Sequence, residues 1–151
     1  MNADLISPEP RALIVEDEIL IAEELSERLS RLGFAVIAAV DTGEEGIAIA
    51  TRERPDLVLM DIRLKGEKDG IQAAKDIRQQ VDVPIVYVTA YSDRRTVDRA
   101  KGTEYDGYLL KPFHRRELES TIEVAMKRHA VRTKEKETAG GGTAEGPTSP
   151  S

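Results

Sequence analysis

Five short apolar runs, spaced along the chain with longer amphipathic stretches between them, constrain this sequence most. They read ALIV (12–15), FAVIAAV (34–40), LVLM (57–60), PIVYVT (84–89) and GYLL (107–110). Several are apolar without a break, as strands covered on both faces must be. The stretches between them change to helical spacing. In 18–32, Ile21, Leu25, Leu29 and Leu32 recur on one face, and Gly33 supplies a stop. A weaker helix over 43–54 is stopped by Pro55, and a third over 69–80 takes Asp69 as N-cap, with Ile71, Ala74 and Ile77 on one face. Residues 93–101 form a short polar helix with only Val97 and Ala100 to bury. A last helix over 117–129 carries Leu118, Ile122, Ala125 and Met126 on one stripe. Five strands alternating with five helices predict an α/β doubly wound parallel sheet with right-handed crossovers.

In such a sheet, ligands sit beyond the carboxyl ends of the strands, near the topological switch point. The residues that follow each apolar run therefore carry the functional information. After ALIV come Glu16, Asp17 and Glu18; after LVLM comes Asp61; PIVYVT ends on Thr89; after GYLL come Lys111 and Pro112. A carboxylate at the lip of a buried strand is poorly solvated. Asp61 there is a helix cap, a metal ligand, a nucleophile or an accident of a loop. Clustered carboxylates repel one another and raise a pKa, a penalty that a bound cation offsets. An all-oxygen cluster suits Mg²⁺, Mn²⁺ or Ca²⁺. Glu18 alone reads as an acid charging the first turn of the first helix. Lys111 beside an acid reads equally as a plain salt bridge. Taken together, a metal on one side and an ammonium on the other would serve an aspartate that receives a phosphoryl group.

VEDE (15–18), LVLMDIRL (57–64), YVTAYSD (87–93) and GYLLKPF (107–113) resemble, in order, the motifs of the response-regulator receiver domain of two-component signalling. The resemblance covers roughly residues 11–130. It implies a flavodoxin-like sheet with strand order 2-1-3-4-5. It further implies Asp61 as phosphoacceptor, Asp17 as a direct Mg²⁺ ligand (or Mn²⁺), Glu16 as its partner through water, and Arg63 ligating through its backbone carbonyl. Thr89 would be the switch hydroxyl, Lys111 the cationic partner, Lys111–Pro112 a cis peptide, and Tyr108 the switch aromatic. Arg63 and Tyr91 stand where such domains tune dephosphorylation. The implied activity is signalling rather than turnover. A sensor histidine kinase or phosphotransfer protein would donate the phosphoryl group, and the 93–129 surface would then change for partner binding or dimerisation. Two other classes remain to be weighed. One is a phosphorylation-independent pseudo-receiver. The other is a haloacid-dehalogenase-type phosphatase, which wants an acid where this chain has Arg63.

The rest of the chain bounds these readings. With 151 residues, one domain with a tail is expected: a flexible N-terminus over 1–10, the receiver-like unit over 11–130, and a helix extension with a disordered tail over 131–151. The tail reads TAGGGTAEGPTSPS from Thr138, and MKRHAVRTK (126–134) is able to prolong the last helix. A net charge of −6 with scattered basic residues argues against nonspecific nucleic-acid binding. No cysteine is present, so disulfide and thiolate chemistry are excluded. No apolar run spans a bilayer and no signal peptide begins the chain, so the expectation is a cytoplasmic protein without membrane or nucleic-acid partners. His114 and His129 read as helix-surface residues.

Overall fold

A computed structural model describes residues 9–143 of the chain, with side chains as far as Glu135. The expectations for residues 1–8 and 144–151 lie outside the described residues. The strands are β1 (Arg11–Val15), β2 (Ala35–Val40), β3 (Leu57–Met60), β4 (Ile85–Thr89) and β5 (Gly107–Leu110). The helices are α1 (Ile19–Arg31), α2 (Gly43–Glu53), α3 (Gly70–Gln80), α4 (Arg94–Lys101) and α5 (Arg115–Thr143). All five strands are parallel, in the order β2-β1-β3-β4-β5. The chain moves outward from β1 to β2, then crosses back to place β3 on the other side of β1. The β1/β3 boundary is thus the switch point of the sheet.

Side-chain alternation divides the core into two layers. Leu13, Val15, Val58, Met60, Ile85 and Tyr87 face α2 and α3, where Ala50, Ile71, Ala74 and Ile77 meet them. Ala12, Ile14, Leu57, Leu59, Val86 and Val88 face α1 and α5, which supply Leu25, Leu29, Leu118, Ile122 and Ala125. Every residue of β3 and β4 is buried, which is why those strands read as unbroken apolar runs. The edge strands β2 and β5 are only partly covered.

The helix ends follow local chemistry. Gly33 adopts φ +97 just past α1, a conformation open to glycine, and its amide donates to the Ser30 carbonyl. Pro55 stands two residues after Glu53, and Arg54 between them closes α2 in the left-handed region. Asp69 caps α3 in a reciprocal capping box with Gln72, and Asp93 caps α4 through the Thr96 amide. Leu32, expected on the apolar stripe of α1, instead forms its C-cap and is partly exposed. The final helix is longer than the 117–129 periodicity indicates. It runs to Thr143, through the strong helix formers of 134–137. Among the described residues, no helix is long and apolar enough to cross a membrane.

Candidate functional site

Strand register assembles the site. Val15 pairs with Met60 across the β1/β3 boundary, so Glu16 and Asp61 leave the sheet side by side. The Asp61 amide donates to the Val15 carbonyl at 2.9 Å and fixes that adjacency. On the other flank Thr89 pairs with Leu110, and the Lys111 amide donates to the Thr89 carbonyl at 2.9 Å. The Lys111–Pro112 peptide is cis, as the motif implies. Behind Asp61 the backbone is crowded by the start of α3. The Gly70 amide donates to the Ile62 carbonyl at 2.6 Å, and a Cβ at Gly70 would lie 1.9 Å from the Asp61 carbonyl oxygen. Only glycine allows that approach.

The Lys111 side chain crosses the cleft and collects the acids. Its ammonium lies 3.0 Å from Asp61 Oδ2, 2.9 Å from Glu16 Oε1, 3.1 Å from Glu16 Oε2 and 3.2 Å from Glu18 Oε2. Glu16 and Asp61 are buried, 3% and 4% exposed. Burial pushes the Glu16 carboxyl up to about 7, with Asp61 repulsion adding to it and the Lys111 hydrogen bond opposing. Burial also raises the Asp17 carboxyl, followed by the Asp61 charge. For Lys111 burial acts the other way, but the hydrogen bonds it donates to Glu16 and Asp61 outweigh it, and its pKa is raised. The lysine is therefore cationic at any physiological pH.

One ammonium does not balance this corner. Oxygens of Glu16, Asp17, Glu18 and Asp61 all lie within 4.8 Å of one another. Glu16 Oε1, though close to the ammonium, is buried without an aligned hydrogen bond. A buried acceptor short of donors, within an all-oxygen set carrying excess negative charge, fits a small hard divalent cation.

Thr89 is fully buried, and its Oγ1 accepts from the Tyr91 amide at 3.3 Å. Tyr108 donates its hydroxyl to the Tyr91 carbonyl and packs edge-on against Tyr87, with Tyr105 completing a ring cluster. Arg63 places its guanidinium 4.3 Å from the centre of the Tyr91 ring. Tyr91 thus touches Thr89, Tyr108 and Arg63 at once. Of the expected site residues, Lys111 meets Glu16 and Asp61 directly and Asp17 lies in the same acidic cluster, while Thr89, Arg63 and Tyr108 meet one another through Tyr91. His129 Nε2 lies 3.2 Å from Asp82, and the His114 amide is capped by Glu117. Sequence reading missed two residues. Glu18, assigned to the helix turn, reaches Lys111. Asp106, just before β5, is a buried carboxylate held by Arg78 and Arg132.

A doubly wound parallel sheet with a strand-end aspartate beside an ammonium, within an acidic cluster, is the arrangement that the receiver motifs imply. The model of the response regulator receiver domain matches residues 12–123, and the chain belongs to that family. The chain is 39% identical over 127 residues to the transcriptional regulatory protein PdtaR of Mycobacterium tuberculosis, covering 84% of this chain and 61% of that protein. It is 40% identical over 120 residues to the probable transcriptional regulator ycf27 of Porphyridium aerugineum, covering 78% and 48%. It thus spans about half to three-fifths of the length of these curated relatives. Among solved structures, it is similar to the signal receiver domain of a modulated diguanylate cyclase from Desulfovibrio desulfuricans G20. That match has a TM-score of 0.77 and 37% identity, and covers 82% of this chain and 98% of that one. Receiver domains are signalling phosphoacceptors that typically bind Mg²⁺ at an acidic pocket.

Proposed function

We propose that Asp61 is the phosphoacceptor of this receiver and takes its phosphoryl group from the phosphohistidine of a sensor kinase or phosphotransfer protein. The observation that carries this reading is the Asp61 carboxylate itself, buried at a strand end, 3.0 Å from the Lys111 ammonium and beside three further acids. An Asp61 oxygen attacks phosphorus as the phosphorus–nitrogen bond of the donor breaks. The electron pair of that bond stays on the imidazole, and an acyl phosphate remains on the protein.

Glu16, Asp17, Asp61 and the Arg63 carbonyl are the groups that would hold Mg²⁺ or Mn²⁺, which when bound would neutralise charge on the transferring oxygens. Lys111 keeps a second positive charge 3.0 Å from the Asp61 carboxylate. Thr89 would turn its hydroxyl from the Tyr91 amide toward a phosphoryl oxygen. The Tyr91 peptide, held also by Tyr108, passes that movement to the 93–129 surface, where partner binding or a homodimer would read it. Moving a two-state equilibrium from 1:99 to 99:1 needs about 5.5 kcal/mol of differential stabilisation. A few charge-assisted hydrogen bonds to the new phosphoryl group are of that order.

The test is labelling by a small-molecule phosphodonor in the presence of Mg²⁺. Wild type is expected to take up one phosphoryl group and Asp61→Asn none. Undiminished labelling of Asp61→Asn would remove the assignment. Labelling of neither, with no Mg²⁺ binding at millimolar concentration, would favour a phosphorylation-independent interaction module. Sustained turnover of a phosphomonoester would favour a phosphatase.

A further inference from the structure

We infer that Glu18 is a positioning residue that occupies one hydrogen of the Lys111 ammonium until a phosphoryl oxygen displaces it. The inference rests on the reading of Asp61 as phosphoacceptor and adds a role for an acid that local sequence explains without it.

An ammonium has three N–H donors. Lys111 directs its own to three carboxylates, those of Glu16, Asp61 and Glu18. A phosphoryl oxygen arriving at Lys111 must therefore replace one of them. Asp61 is the group being modified. Glu16 is buried and is held a second time, accepting from the Glu18 amide at 3.0 Å. Glu18 differs from both, because its side chain is 62% exposed. Released from Lys111, it is hydrated at once, whereas a released Glu16 would remain a buried anion. Glu18 is the partner that leaves most easily.

The start of α1 shows where the Glu18 carboxylate goes. Thr42, Asp69 and Asp93, the N-caps of α2, α3 and α4, each accept a hydrogen bond from the amide three residues on. Glu18 is the N-cap of α1 and makes no side-chain cap bond. The Glu18 carboxylate accepts from Lys111 instead.

Two substitutions separate this role from a simple effect of charge. Glu18→Gln removes the anion. Glu18→Asp keeps the charge at the mouth but is one methylene shorter, and aspartate at an N-cap turns back onto the helix amides. The measurement is the affinity of purified protein for beryllofluoride, a phosphoryl mimic, at saturating Mg²⁺, alongside the affinity for Mg²⁺ alone. Both variants are expected to bind beryllofluoride about two- to five-fold more tightly, the range that loss of one exposed ion pair spans. Only Glu18→Gln is expected to weaken Mg²⁺ binding. Unchanged beryllofluoride affinity in both variants would overturn the inference, as would tightening in Glu18→Gln alone. In those cases the wild type still binds the mimic, so the phosphoacceptor reading stands. Failure of the wild type to bind it at all overturns both.

Discussion

Arg132, on the last helix, reaches within 2.6 Å of Asp106, a carboxylate with no exposed side-chain surface at the entry to β5. Arg78 of α3 meets the other oxygen at 2.7 Å, and the Ile85 amide donates to that same oxygen at 3.0 Å. The pairing lies at the amino-terminal end of the sheet, opposite the acid cluster. It joins the helix beyond residue 130 to the body of the domain. Arg132→Ala removes one of two cations from a buried anion, and about 1.5–3 kcal/mol of stability is expected to be lost. Arg78→Ala is expected to lose more, about 3–5 kcal/mol, because Arg78 is itself largely buried and also donates to the Glu104 carbonyl. Urea denaturation of the two variants would check the order. A shift of zero for Arg132→Ala would mean that the helix extension does not support the domain.

Gly70 governs how closely α3 approaches the proposed phosphoacceptor. A methyl group there would overlap the Asp61 carbonyl, so either α3 or the end of β3 must move. Backbone yields less than a side chain does. Gly70→Ala is expected to be destabilised by more than the ~1–3 kcal/mol of ordinary core overpacking. Its labelling by a phosphodonor should also fall, because Asp61 is displaced relative to Lys111. A variant with both wild-type stability and wild-type labelling would disprove the contact.

The strand-end residues were legible because a parallel strand announces itself as a short unbroken apolar run, and the next residue must then lie at the ligand edge. Glu16, Asp17, Asp61 and Lys111 could be named from that rule, and the register of Val15 with Met60 places Glu16 and Asp61 side by side. Glu18 was not legible, because an acid at the start of a helix has a sufficient local explanation. Asp106 and Arg132 were hidden for a different reason. They are 26 positions apart, and nothing local distinguishes an arginine that turns inward from the exposed Lys127 or Arg128 beside it. The reach of α5 to Thr143 was obscured by three consecutive glycines, each of which argues for a stop by about 1 kcal/mol.

Acid should loosen the loop between β3 and α3. Glu44, at the start of α2, accepts from the amides of Glu67 and Lys68. Its own backbone amide, then those of Lys68 and Glu67, hold its carboxyl below the usual 4.5. A carboxylate depressed on folding contributes stability that is fully present above the unfolded value and is lost as pH falls through the folded one. Glu44→Gln removes that ionisation. Between pH 6 and pH 3 the wild type is expected to lose more stability than Glu44→Gln, with the curves converging at the acid end. Parallel curves in urea titrations across that range would exclude the contribution.

Arg63 and Tyr91 should act as one unit on the lifetime of an acyl phosphate at Asp61. The Tyr91 amide engages Thr89, its carbonyl holds Tyr108, and its ring lies under the Arg63 guanidinium at 4.3 Å. The stacked pair joins the loop after β3, which carries Asp61, to the loop after β4. A cation over an aromatic face at an exposed position is worth about 0.5–1 kcal/mol. Losing it frees both loop ends and admits water, so hydrolysis should quicken by about two- to five-fold in Arg63→Ala and in Tyr91→Ala. If the stacking carries the effect, removing the second partner adds little, and the double variant should match the faster single one. Phosphoryl decay at fixed Mg²⁺ provides the measurement for all four proteins. Multiplicative rates in the double variant would show that the two side chains act on hydrolysis separately.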